Sequence, residues 1–364
     1  MTADLPQDRR ALLRRARLPL VAAPMLLVSG PELVIAACRA GVFGSFPTAN
    51  CRAEGELDEW LHRIAAACGP DAAPCVPNLI VHRSNPRLDQ DLDVILRHRP
   101  AAVITSVGSP AAVAPALRAA GIQVWCDVAT VRHAERAIDA GADGLILLTA
   151  GAGGQTGNAN PFAFVRAVRR RFDGIVALAG GQADGHALLA ARALGCDLGY
   201  MGTRFIATRE ARADERYKSF VVESELDDIH LTNALSGLET NLLRRSLLAQ
   251  GLDPAEFGLG PKRFSMTALE GREGGAPKRW RDIWSAGHSV SGVRDVPSVA
   301  ALVDRLAAEY AEAARTTHAL TAEPARAAGP ARAAGPAQAA GIAQAAETPG
   351  ALTAEPGSAP GVAR

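Results

Sequence analysis

IVALAGGQADGHALLAARALGCDLGYMGTRFI, running from Ile175 to Ile206, reads as a buried strand, a glycine pair, a helix, a second buried strand and then Gly202-Thr203. Short apolar runs on either side of an alanine-rich helix mark a parallel βαβ unit covered on both faces. Gly180, Gly181 and Gly202 leave backbone N–H groups at both strand ends uncovered by any Cβ. The helix that begins near Asp184 points its positive end toward the same place, which suits a phosphate dianion. Either loop alone needs nothing more than a tight strand–helix turn. Two of them, one βαβ unit apart, match the phosphate site that follows strands 7 and 8 of a (β/α)8 barrel.

Working outward, the same alternation predicts strands at residues 21–23, 42–46, 75–80, 102–105, 124–126 and 144–148. Helices are expected at 31–40, 56–67, 89–97, 111–119, 131–140 and 161–171. Gly41, Gly121 and Gly141 end three of them, as the left-handed stop requires. Eight βα units in about 190 residues favour an α/β fold of the closed (β/α)8 TIM-barrel type over an open doubly wound sheet. The open sheet is further disfavoured because no G-x-G-x-x-G follows the first strand.

The expected organisation is an N-terminal arm (1–19), the barrel (20–206), a mostly helical insertion after strand 8 on the substrate side (207–290) and a closing helix (291–315). The closing helix should span 296–314, with Pro297 in its first turn. The tail (316–364) is Ala/Pro/Gly-rich and has no aromatic residue, so it is expected to be disordered.

The chain has 364 residues, a formal net charge of +1 and 48% apolar residues, which supports one large core. The balance gives no electrostatic case for nucleic acid or a membrane surface. No segment approaches a membrane span, and the N-terminus lacks the apolar run of a signal peptide. Six cysteines (Cys38, Cys51, Cys68, Cys75, Cys126 and Cys196) form no C-x-x-C pair, and no histidine-rich segment offers metal spacing. Reduced, buried thiols in a cytoplasmic protein are the plain reading. The sequence leaves open whether the chain forms an oligomer.

In a βα barrel, chemistry stands at the C-terminal ends of strands. Ala23-Pro24-Met25 after strand 1 makes a rigid apolar shelf for the edge of a planar ring. Asn78 after strand 3 can donate and accept, and Asp127 after strand 5 can accept from a sugar-type hydroxyl. Each of these also serves as an ordinary turn or cap residue when taken alone. The strand-6 loop, AGAGGQTGNANPF, sets Gln155 among four glycines, so its backbone can press on a flat ligand while one side chain stands over it. No histidine of the eight stands at a strand end. His133 and His186 fall on helix surfaces, whereas His288, in SAGHSV, sits in a glycine-bounded turn able to fold over the mouth and is a candidate catalytic residue.

These residues resemble the nitronate monooxygenase (2-nitropropane dioxygenase) family of flavin-dependent barrels. The matching pieces are APM at Ala23–Met25, PNL at Pro77–Leu79, TVRHA, GAGGQTG, LAGGQADG, GYMGTRFIAT and KRWRDIWSAGHSVSGVRDVPSVAALVDRL. The resemblance covers roughly residues 20–310 and implies an FMN-binding barrel with an added helical domain. It places the FMN phosphate on Gly180, Gly181, Gly202 and Thr203, and the isoalloxazine near Ala23, Pro24, Met25 and Asn78, with Gly153 close by. Asp127 falls where some relatives carry lysine. Gln155 is the main departure, because many relatives read G-G-H there and use the histidine to take the α-proton of a neutral nitroalkane. Glutamine cannot be that base, but it can donate to an anionic oxygen.

The expected activity is therefore oxidation of alkyl nitronates, or similar preformed carbanions, with FMN and O2. Within the same superfamily the alternatives are an enoyl-thioester reductase or an NAD(P)H:quinone reductase, both driven by NAD(P)H. A non-catalytic flavin-binding protein is a further alternative. A Schiff-base aldolase is disfavoured because the three lysines (Lys218, Lys262 and Lys278) all lie outside the barrel strands.

Overall fold

The computed structural model describes residues 11–235, 237–260 and 281–322. Its main sheet holds eight parallel strands: β1 (Leu20–Ala22), β2 (Phe43–Gly44), β3 (Asn78–Ile80), β4 (Ala102–Ser106), β5 (Gln123–Val128), β6 (Gly144–Leu148), β8 (Ile175–Ala179) and β9 (Leu198–Met201). A ninth, β7 (Gly154–Gln155), belongs to a second sheet. The apolar runs form strands without polar alternation because both faces are covered: every residue of β4, β8 and β9 is buried. The order is β2-β1-β9-β8-β6-β5-β4-β3, and isolated parallel bridges Gly44–Cys75 and Pro47–Asn78 join the two ends. The result is the expected (β/α)8 barrel.

Helices α1 (Pro31–Ala40), α2 (Glu56–Cys68), α3 (Leu88–His98), α4 (Ala114–Ala119), α5 (Val131–Asp139), α6 (Pro161–Arg169) and α7 (Gly185–Leu194) connect the strands. Their starts follow local chemistry. Thr130, Asn160 and Asp184 accept from the first-turn N–H groups of α5, α6 and α7. Gly41 ends α1 at φ 88° and returns its N–H to Ala37 and Cys38, the stop expected from the sequence.

Inside the barrel, Trp125 packs with Phe43, Ile104, Ile146 and Ile175. The Phe43 and Trp125 rings meet edge to face, 5.8 Å between centroids. A Cβ on Gly144 would stand 2.7 Å from Trp125 Cδ1, so the neighbouring strand makes room for the indole by having none. Leu12, Leu13 and Ala16 pack against this cluster, which gives the described part of the N-terminal arm a place in the core. Trp125→Ala is expected to cost about 3–5 kcal/mol of stability. A urea midpoint unchanged from the parent would contradict that packing role.

After α8 (Thr203–Ile206), the insertion holds α9 (Glu215–Val222) and α10 (Arg244–Ala249), and also an antiparallel sheet that its sequence pattern does not reveal. Strand β10 (Ile229–Thr232) pairs with β11 (Thr240–Leu243), and β11 pairs in turn with β7, Thr240 opposite Gln155 and Asn241 opposite Gly154. The last helix, α11 (Val299–Ala322), starts after Pro297 and runs past the expected end at residue 314, with Val299, Leu302, Val303 and Leu306 fully buried. The described residues up to Ala319 pack as one compact unit. Residues 323–364, expected to be disordered, lie outside the described residues, as does the whole 261–280 stretch of the insertion. No described helix is long and apolar enough to cross a membrane, and no cluster of metal-binding side chains occurs among the described residues.

Candidate active site

A large cavity opens at the C-terminal ends of the barrel strands, with about 1170 Å³ of void including the part continuous with solvent. Eleven of the twelve residues singled out from the sequence line it: Ala23, Pro24, Met25, Asn78, Asp127, Gly153, Gln155, Gly180, Gly181, Gly202 and Thr203.

The β1 shelf is held rigidly by two polar side chains. Asn50 donates to the carbonyls of Met25 (3.1 Å) and Ser29 (2.8 Å) and accepts from the N–H of Leu27, while Ser29 Oγ accepts from Met25 N–H. This network lets Leu27 keep φ at 62°. Val107, at the end of β4, also lines the cavity and holds φ at 57°, a costly state for a β-branched residue. Asn78 is buried and only loosely partnered. Its Nδ2 lies 3.5 Å from the Ile104 carbonyl, and its Oδ1 accepts from Ser106 at 3.3 Å.

At the two glycine loops, Gly180 (φ 119°) and Gly181 (φ 71°) turn the chain in the left-handed region. Among the described residues, the N–H groups of Gly180, Gly181 and Gly202 meet no backbone carbonyl. Thr203 Oγ1 accepts from Gly287 N–H at 2.9 Å, which leaves its own O–H free to donate. The α7 N-terminus differs from the sequence expectation: Asp184 accepts from Ala187 N–H and Glu309 from Gly185 N–H, each within 2.9 Å. Carboxylates already occupy that helix end, so any anion held here rests on the glycine loops.

Asp127 turns its Oδ1 away from solvent without a hydrogen-bond partner. Burial pushes its carboxyl up to about 7. Tyr200, also on the wall, is raised well above its ordinary value by burial and by the Asp127 charge.

The Gln155 loop is pinned along its length. Gln155 sits in β7 against Thr240, Thr156 N–H donates to Glu239 O at 3.0 Å, and Asn241 Nδ2 donates to Ala152 O at 2.8 Å. Opposite it, Gly153 faces the 285–287 segment so closely that a Cβ would come within 2.7 Å of Gly287 N. Tyr217 secures that segment by donating to the Ser285 carbonyl and stacking on Trp284.

His288 is the exception among the sequence candidates. It is exposed, does not line the cavity, and packs its ring over Gly151, whose carbonyl accepts the His288 N–H. Its neighbour Ser289 faces the cavity instead. The glycine-bounded turn does fold against the mouth, but with the imidazole outward. Asn50, Asn241 and Tyr217 carry no signal in the sequence, because each acts on residues far away along the chain.

The nitronate monooxygenase family model matches residues 57–309. A nitronate monooxygenase from Paraburkholderia phytofirmans is 28% identical over 281 residues, covering 65% of this chain and 76% of its own length. One from Pseudomonas aeruginosa is 26% identical over 339 residues, covering 80% and 96%. The structure of a nitroalkane oxidase from Streptomyces ansochromogenes superposes with a TM-score of 0.71 at 25% identity, over 84% of this chain and 99% of that one. With a barrel, a cavity at its strand ends and a family match over most of its length, the chain is an oxidoreductase that belongs to the nitronate monooxygenase family.

Proposed function

We propose that this chain binds FMN and oxidises alkyl nitronates, or similar preformed carbanions, with O2, and that Gln155 orients the anion without taking a proton. The observation that carries this reading is the cavity wall. Its only ionisable side chains among the described residues are Asp127, Tyr200 and Tyr217, and no histidine is present.

FMN suits the residues available. The free N–H groups of Gly180, Gly181 and Gly202, with the Thr203 hydroxyl, suit its phosphate. The unpartnered Asp127 Oδ1 suits a ribityl hydroxyl, and the Ala23–Met25 shelf with Asn78 and Gly153 suits the ring edge. Bound FMN would supply an electron acceptor for the carbanion and a route for those electrons to O2. Gln155 then donates from Nε2 to an anionic nitro oxygen, and its place in β7 fixes it before substrate arrives. Met25, Val28 and Ile206 give the site an apolar wall that strengthens that bond.

Oxygen uptake tests the reading. Propane-2-nitronate should be consumed, and 2-nitropropane at the same pH should react at least about 100-fold more slowly. Rapid oxidation of NADH or NADPH with an enoyl thioester or a quinone, and none of nitronate, would replace this reading with a reductase.

Asp127 gives a pH signature. A hydroxyl donating to Oδ1 favours the charged carboxylate, so binding lowers a carboxyl that starts near 7 and releases its proton. Affinity for FMN should therefore rise with pH through that value. The ratio of wild-type to Asp127→Asn affinity should increase roughly tenfold between pH 6 and pH 8 in a fluorescence-quenching titration. Parallel curves for the two proteins would remove Asp127 from the proposed cofactor contacts.

A further inference from the structure

Cys38, Cys68 and Cys75 come from three separate elements: the last turn of α1, the final residue of α2 and the segment entering β3. The fold gathers them into one cluster. Arg39 Nε donates to the Ala67 carbonyl at 2.9 Å, tying the ends of α1 and α2, and Ala73 N–H donates to the Cys38 carbonyl at 3.0 Å. A Cβ on Gly44 would stand 2.9 Å from Cys38 Sγ, and Gly44 is itself bridged to Cys75. Cys38 is fully buried and Cys68 is half-buried in the same cluster. A sulfur within reach of solvent is thus clustered with one that is sealed in.

The two sulfurs are also unlike in acidity. The Cys38 thiol beside it holds Cys68 below its ordinary value, against the effect of burial and with help from Arg39. The Cys68 thiol beside it, together with burial, holds Cys38 well above its ordinary value. Cys51, Cys126 and Cys196 are buried and raised by desolvation, which leaves them inert.

We propose that Cys68 and Cys38 form an oxidation site that hydrogen peroxide closes to a disulfide. The Cys68 thiolate attacks one peroxide oxygen and the O–O bond breaks. With one proton this gives the Cys68 sulfenic acid and water. Cys38 sulfur then attacks the Cys68 sulfur, the S–O bond breaks, and the Cys38 proton leaves with the hydroxide as a second water. Two thiols are oxidised by two electrons and one peroxide is reduced. The bond would join α1 to α2 beside the seam where β2 and β3 meet only through the isolated bridges Gly44–Cys75 and Pro47–Asn78, the second of which includes Asn78 on the cavity wall.

The test treats the full-length protein with one equivalent of hydrogen peroxide at pH 7, alkylates the remaining thiols and maps the peptides. The expected result is a Cys38–Cys68 cross-link, with Cys68 reacting at least about tenfold faster than Cys51, Cys126 or Cys196. Cys68→Ser should leave Cys38 reduced, and Cys38→Ser should leave a Cys68 sulfenic acid that dimedone traps. Cys38 is buried, so its variant can fail to fold, but the wild-type map decides the pairing by itself. Oxidation of Cys68 no faster than the buried cysteines, a stable sulfenic acid in the wild type, or a Cys68–Cys75 cross-link would overturn the proposal.

Discussion

Gln155→His is expected to raise turnover of a neutral nitroalkane by roughly 10²- to 10⁴-fold, the range a well-placed general base contributes. Turnover of the matching nitronate should change little, because that substrate arrives already deprotonated. The position favours a clean result. Gln155 is held in β7 by pairing with Thr240, and its loop is fixed by Asn241 and Thr156, so the new imidazole inherits a fixed backbone. An amide and an imidazole also differ little in size. If the variant gains nothing, the distance from this side chain to the substrate carbon is wrong for proton transfer. If the parent already deprotonates nitroalkanes and Asp127→Asn abolishes it, the base is the carboxyl that burial holds near 7.

The second large effect concerns the phosphate loops. Gly202→Val should weaken FMN binding by roughly 10- to 100-fold, about 1–3 kcal/mol, by crowding the space between the loops. The backbone and the first side-chain atom fit without strain. Gly202 has φ −103° and ψ −63°, and the nearest atoms to a Cβ there are Met25 Sδ at 3.5 Å and Ala23 Cβ at 3.7 Å, both ordinary contacts. Gly181 is a poorer choice for the same question. A side chain there would have open space, but φ 71° makes any L residue cost about 1–2 kcal/mol of fold stability. FMN binding to Gly202→Val with unchanged affinity, in a protein with an unchanged urea midpoint, would move the phosphate elsewhere.

What the sequence made legible follows from which signals are local. Runs such as Ile175–Ala179 and Leu198–Met201 declare buried parallel strands by composition alone, and Gly41 declares a helix end by its position. Most of the site follows, because in a barrel the residue after a strand is at the mouth. Long-range polar contacts carry no such mark. β7 is only Gly154–Gln155, with no alternation to read, and its partner β11 lies about 85 residues later in the chain. Asn241 reads as a loop residue until it meets the Ala152 carbonyl. The carboxylate at the α7 N-terminus is hidden for the same reason, since Glu309 reaches Gly185 from a helix over a hundred residues away. The last helix continues through 316–322, a stretch that shares the tail's alanine-rich composition, because alanine is the strongest helix former.

The most direct measurement is the anaerobic absorbance spectrum of the FMN-reconstituted protein during addition of propane-2-nitronate, followed by 2-nitropropane in a parallel cuvette. Flavin bands that bleach with the nitronate and persist with the neutral nitroalkane are the expected result. Bands that stay unchanged with nitronate, or a protein that takes up no FMN, would contradict the proposed chemistry.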